Sequence, residues 1–238
     1  MKNSVANMTT IGVILVMSWP WTNITSAEAP SMDIEQFVRQ TFIHGIPYEE
    51  ATKYAPSVVS ELLNMLADPD EEAHWTNIIV TLGMLGDERA VDPLIAFLTK
   101  GEGELSQTRF RAKTSALMAL GYLTNKTKNE KALTFLKESL NPDVWERRGV
   151  TWASPYHENI KDRNLHLSKM AILGLALSAQ PSAAESLRSL QKPAENEPAR
   201  QFRARMSDVV SGALREHELI VEKGLTEYDR TGRTGTPR

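Results

Sequence analysis

The chain has 238 residues, 41% of them hydrophobic and 24% charged, with a formal net charge of −3. That length accommodates one large domain or two small ones around a continuous core, and the apolar share excludes a disordered chain. Near-balanced charge argues against nonspecific nucleic-acid binding, which needs a strongly positive surface, while the absence of cysteine excludes thiol catalysis, a disulfide framework and lipid attachment at a cysteine.

Residues 1–27 read as a secretory signal peptide. Lys2 precedes an apolar run from Ile11 to Met17, followed by Trp19 and Trp21, with Pro20 closing it. The run falls short of the roughly 20 apolar residues of a spanning helix, and an uncleaved membrane anchor is the competing reading. Thr25 and Ala27 supply small residues at the third-last and last positions before a cut, so the mature chain is expected to begin near Glu28, without a stable membrane anchor and in the periplasm or medium. Residues 28–228 are then expected to form one helical unit with an inserted loop at 146–162. The segment 229–238, with no apolar residue from Arg230 onward, is expected to be a disordered tail.

Helical periodicity runs through the mature sequence. Gly45 lies between Phe37, Val38, Phe42, Ile43 and the apolar set Val58, Val59, Leu62, Leu63, Leu66, which together would cap the amino end. Trp75, Ile78, Ile79, Leu82 and Leu85 share one helical face, and Val91, Leu94, Ile95 and Leu98 repeat the pattern after a turn. Gly86 is suited to the left-handed conformation that ends the first helix, and Asp87 to capping the second. A second hairpin runs from Phe110 through Leu120 to Leu140. A third carries Met170, Leu173 and Leu177, then Ser182 to Glu185 as a capping box ahead of Leu187 and Leu190. A fourth opens with Phe202-Arg203-Ala204-Arg205, an echo of Phe110-Arg111-Ala112-Lys113, and its second helix is less distinct. Glycines keep the register: Gly83 and Gly121 are 38 apart (121 minus 83), as are Gly174 and Gly212 (212 minus 174). Periods near 40 residues with two helices each mark an all-α solenoid of four to five hairpins, in which no hairpin buries its apolar face until a neighbour stacks on it.

The stretch DPDEEAHWTNIIVTLGMLGDERAVDPLIAFL, from Asp68 to Leu98, resembles a bacterial HEAT-like repeat of the type also found in phycobilisome lyases, with its LG followed by GD, R and AV. The likeness is partial over Phe110 to Leu140 and Leu167 to Leu190. Where such repeats often carry an arginine ladder, this chain has Trp75, Lys113 and His166. The resemblance implies a right-handed superhelix acting as a scaffold for a protein partner, with no cofactor and no catalytic activity. It also leaves open a tetrapyrrole-handling, lyase-like protein; a structural component of an envelope assembly is the third possibility.

Candidate sites concentrate in the insertion. Trp145, Arg147, Arg148, Trp152, Tyr156 and His157 form the expected partner-binding set, because tryptophan, tyrosine and arginine supply interface anchors. The alternative is that both tryptophans fold back to cover the solenoid. His157, Glu158, Asp162 and His166 are suitable zinc ligand types, but without the i, i+4 histidine spacing of a helical site. Arg188, Lys192, Arg200, Arg203 and Arg205 could meet an acidic partner or could simply line solvated helix faces. Asp87 and Arg89 read as capping and inter-repeat pairing, Met65, Met84, Met118 and Met170 as core, and the Asn125-Lys126-Thr127 sequon as chance.

Overall fold

The computed structural model describes residues 29–194 and 196–232, so the expected signal peptide at 1–27 and the last residues of the expected tail lie outside the described residues. The helices are α1 (Ile34–Val38), α2 (Tyr48–Ala51), α3 (Val59–Ala67), α4 (Trp75–Leu85), α5 (Val91–Thr99), α6 (Gln107–Thr127), α7 (Glu130–Glu138), α8 (Val144–Arg147), α9 (Ile160–Ser178), α10 (Pro181–Gln191) and α11 (Glu197–Gly232). Among the described residues there is no strand, only a single parallel bridge between Glu104 and Ala153.

Helix starts follow from local chemistry. Ser106, Asn129 and Asn159 each accept a hydrogen bond from a first-turn amide of α6, α7 and α9. Gly86 takes φ 64° and ends α4, and Asp87 accepts from the amide of Arg89 as the chain enters the short 3₁₀ turn before α5. The capping box expected at Ser182–Glu185 is corrected: the N-cap position falls two residues earlier, at Gln180, and α10 begins at Pro181. Proline needs no amide partner and its φ is preset for a first helical turn, so it takes that position.

The fold is an all-α solenoid. The long helices α4, α6, α9 and α11 lie side by side as one layer, and α3, α5, α7 and α10 form the other, each wedged against the following long helix. The glycine register marks where the long helices cross. A Cβ on Gly83 would lie 2.5 Å from the Cα of Ala119, one on Gly121 2.2 Å from the carbonyl oxygen of Gly174, and one on Gly174 2.4 Å from the carbonyl oxygen of Leu117. These helices therefore meet backbone to backbone. Gly212 shares the spacing without the contact, since a Cβ there would meet nothing nearer than Arg215 at 3.9 Å. Polar ties join successive units: Arg89 donates to the Pro56 carbonyl at 2.7 Å, Asn129 to Glu88 at 3.1 Å, and Asn77 to the carbonyls of Val38 and Gln40, both at 2.9 Å.

Contacts between the two ends break the neighbour-to-neighbour rule. At Gly224 (φ 79°, ψ 166°) the helix is interrupted, and residues 225–232 return to α2. There the amide of Tyr48 donates to the Asp229 carboxylate at 3.0 Å, and Arg230 pairs with Glu49 at 2.7 Å. The expected tail is thus corrected at its start, because residues 229–232 are helical. They lack apolar side chains, but the first hairpin supplies them with ionic and amide partners.

Candidate functional site

The connection between α7 and α9 contains α8 and then runs back along the solenoid. Trp145 and Trp152 are both 0% exposed. The indole N–H of Trp152 donates to the Leu98 carbonyl at 3.0 Å and its ring meets Phe110 edge-on, while the indole N–H of Trp145 points at the Ser168 hydroxyl, 3.4 Å away. Arg148 lies over the Phe135 ring at 3.8 Å and donates to Ser139, Glu138 and the Phe135 carbonyl. These three members of the expected partner-binding set are therefore structural. Burying an indole removes a large apolar area from water, and each ring's N–H faces a polar acceptor inside, so covering the solenoid wins over remaining exposed.

A residue absent from the expected set fixes this loop. Arg163 is 1% exposed and donates to the carbonyls of Trp152 and Val150 and to the Asn164 side chain. The loop wraps around a buried guanidinium, whose pKa burial lowers while Glu146 opposes the shift. Its role gave no signal in the sequence, since the loop carbonyls it binds are brought to it only by the fold.

The remaining expected residues separate into two places. Arg147 is exposed and faces a groove of about 950 Å³ between α7–α8 and α10–α11. Leu140, Val144, Leu190 and Phe202 line it, the last two half-buried, and Lys137, Arg147, Arg203 and Asp143 stand among its polar residues. Glu138, also at the groove, is engaged by Arg148 at 2.9 Å. Positive charge therefore prevails around an apolar floor. The wider basic patch does not assemble: Arg200 pairs with Glu197, Arg205 with Asp162 and Arg188 with Glu218, leaving Arg203 at the groove, where it donates to the carbonyls of Lys192 and Pro193.

Tyr156 and His157 belong to a separate cavity of about 400 Å³ with Asp162, His166, Lys169 and Arg205. The rings of His157 and His166 are 5.0 Å apart, and both lie against Phe110. Burial, then the neighbouring His157 and Lys169, pulls the pKa of His166 down to about 4, and burial lowers that of His157. Asp162 is held by Asn159 and Arg205, and among the described residues no group of three or more carboxylates and imidazoles converges to hold a metal.

The long-helix layer carries a third groove, also about 400 Å³ and open to the surface, lined by residues 44–46, α4, α6, Tyr228 and Asp229. Val80, Met84, Met118 and Tyr122 line its apolar side. Met65 and Met84 are buried, while Met118 and Met170 are half-buried against the core.

A family model described as the PBS lyase HEAT-like repeat matches residues 77–100, which span most of α4 and all of α5. The chain therefore carries a HEAT-like repeat. No curated protein and no solved structure matches it. Among the described residues, no helix is long and apolar enough to cross a membrane.

Proposed function

We propose that this chain is an exported, non-catalytic interaction scaffold, and that its protein partner enters the groove beside Arg147 as an acidic segment carrying an apolar anchor. The observation that carries this reading is the pairing of an apolar floor, including half-buried Leu190 and Phe202, with Lys137, Arg147 and Arg203 at its edge. Aromatic and arginine side chains beside a desolvated pocket are the usual anchors of a protein interface, and surrounding cations favour acidic ligands and speed their approach. Phe202 lies in the second turn of the last long helix and is half-buried. Its sequence echo Phe110 is instead covered by the aromatic loop.

Recovering a partner from the exported fraction by crosslinking, then measuring its affinity for the wild-type chain and for Arg147→Glu, tests the site. Arg147 is exposed, so the variant should melt as the wild type does while binding weakens by at least about tenfold, the scale of one lost charged contact at an interface. Equal affinity would place the interface elsewhere. Export rests on the apolar run at Ile11–Met17 ahead of Thr25 and Ala27; amino-terminal sequencing of the secreted form should begin at Glu28, and an intact Met1 would refute cleavage.

The description of the matched repeat favours one second reading, a tetrapyrrole-handling lyase-like protein. Export argues against it, because those chromophores are attached inside the cell. Visible absorbance retained by the protein after incubation with a bilin and gel filtration would favour it over the scaffold.

A further inference from the structure

Between the buried Trp152 and Asn159, the residue that caps α9, the chain makes a turn over residues 153–158. It rests on the helices through rings. Tyr156 meets Phe110 edge-on with centroids 5.4 Å apart, and His157 lies 5.8 Å from Phe110 and 5.0 Å from His166. Inside the turn, the Ser154 hydroxyl is 2.6 Å from Nδ1 of His157 and accepts from the Tyr156 amide at 3.1 Å, which ties these residues to one another. A further tie is the bridge to residues 103–105, where the Ala153 amide donates to the Gly103 carbonyl at 2.8 Å and the Leu105 amide to the Ala153 carbonyl at 3.1 Å.

The two imidazoles stand where a proton is unwelcome. On α9, burial, then His157, then Lys169 oppose a charge on His166; burial opposes one on His157, with Asp162 favouring it and Lys169 against. From α11 comes Arg205, which donates to Asp162 at 3.3 Å and so occupies part of that carboxylate. From α6 comes the Phe110 ring, while the cations of that helix are turned elsewhere: Arg109 to Glu72, Lys113 to the carbonyls of Phe97 and Lys100, and Arg111 to solvent. Glu158, in the turn itself, is exposed. Neutral rings pack on one another and on Phe110. A proton on His166 instead places a charge in an apolar contact beside an ammonium, and the smallest displacement that relieves it lifts the turn and admits water. Trp152 stays behind, because its ring is fully buried and its N–H is held by Leu98.

We propose that His157 and His166 form an acid-released latch: neutral, they hold residues 153–158 on Phe110, and protonation of His166 frees that turn while the hairpins behind it stay folded. Release uncovers Phe110, 3% exposed when latched, and gives the chain an apolar surface in acid that it lacks at neutral pH. The latch acts apart from the Arg147 groove. Linkage sets its direction: between the ordinary 6.5 and about 4, His166 holds fewer protons latched than released, so the released form gains as the pH falls through that interval and gains nothing further below it.

Hydrogen exchange of the full chain at pH 7 and pH 4.5, each rate divided by that amide's intrinsic rate at the same pH, tests the latch. The amides of Ala153 and Leu105 report the bridge, and should lose at least about tenfold in protection at pH 4.5 while staying well below the central amides of α6, which exchange only when the stack itself opens. His166→Phe keeps a ring on Phe110 and takes up no proton, so its two bridge amides should be equally protected at both pH values. His166→Gln should likewise remove the pH dependence, and decides the matter if the phenylalanine variant fails to fold. Wild-type bridge amides as protected at pH 4.5 as at pH 7 overturn the proposal. So does equal protection of the bridge and of α6 at pH 4.5, which is global unfolding, and so does the full acid loss in a folded His166 variant, which assigns it to another group.

Discussion

Gly121 carries more of the fold than any side chain near it. With Gly174's carbonyl oxygen 2.2 Å from the position of an added Cβ, α6 and α9 cannot keep their spacing around alanine. Gly121→Ala should cost at least about 3 kcal/mol in chemical denaturation, the upper part of the range for overpacking. Gly212→Ala, with open space at the same register, should instead stabilise by up to about 1 kcal/mol through helix propensity. Equal effects at the two positions would show that register alone, without contact, governs them. His166 gives a pH signature. Its pKa falls from 6.5 to about 4 on folding, chiefly through burial. The unfolded chain therefore binds more protons between these values, so this contribution is complete above about pH 6.5 and is lost as the pH drops toward 4. The melting temperature should decline across that window, His166→Phe should flatten the decline, and imidazole resonances followed by NMR should show His166 still neutral at pH 5.

At the scale of elements, the loop between α7 and α9 is best understood as a cover with two open edges. Trp152→Ala removes a fully buried ring and a hydrogen bond to Leu98, and should cost about 3–5 kcal/mol by thermal or denaturant unfolding. Tyr156, 47% exposed, should tolerate alanine with little change in the same measurement. The hairpins α4–α5, α6–α7 and α9–α10 were legible in the sequence because their signals are local: apolar residues at helical spacing, and Gly86 and Asp87 at the turn. The loop's fate was not legible, since aromatic and arginine residues look alike whether they anchor a partner or a core. Trp152 finds its acceptor at Leu98 and Trp145 faces Ser168, contacts that only the folded stack creates. Arg147 alone among the arginines and tryptophans of the expected site stays exposed to a groove. Residues 229–232 escaped for the same reason, a polar run whose partners at Tyr48 and Glu49 lie at the opposite end of the chain.

For the whole molecule, the organising feature is stacking. α4, α6, α9 and α11 each rest chiefly on their neighbours in the row, with α3, α5, α7 and α10 wedged behind, and residues 225–232 join the two ends. Helices with a neighbour on both sides should open last, and those at the ends first, because local opening follows how many interfaces hold each unit. The register of Gly83, Gly121 and Gly174 extends this row over the centre of the chain, which explains why sequence periodicity revealed the row and gave no hint of the closing contact.

Native-state hydrogen exchange, resolved by helix, tests that stacking most directly. Amides of α6 and α9 should exchange slowest, those of α4 and residues 197–223 faster, and those of α1, α2 and residues 225–232 fastest. One common rate from α1 through α11 would mark a single cooperative globule and contradict a solenoid of leaning hairpins.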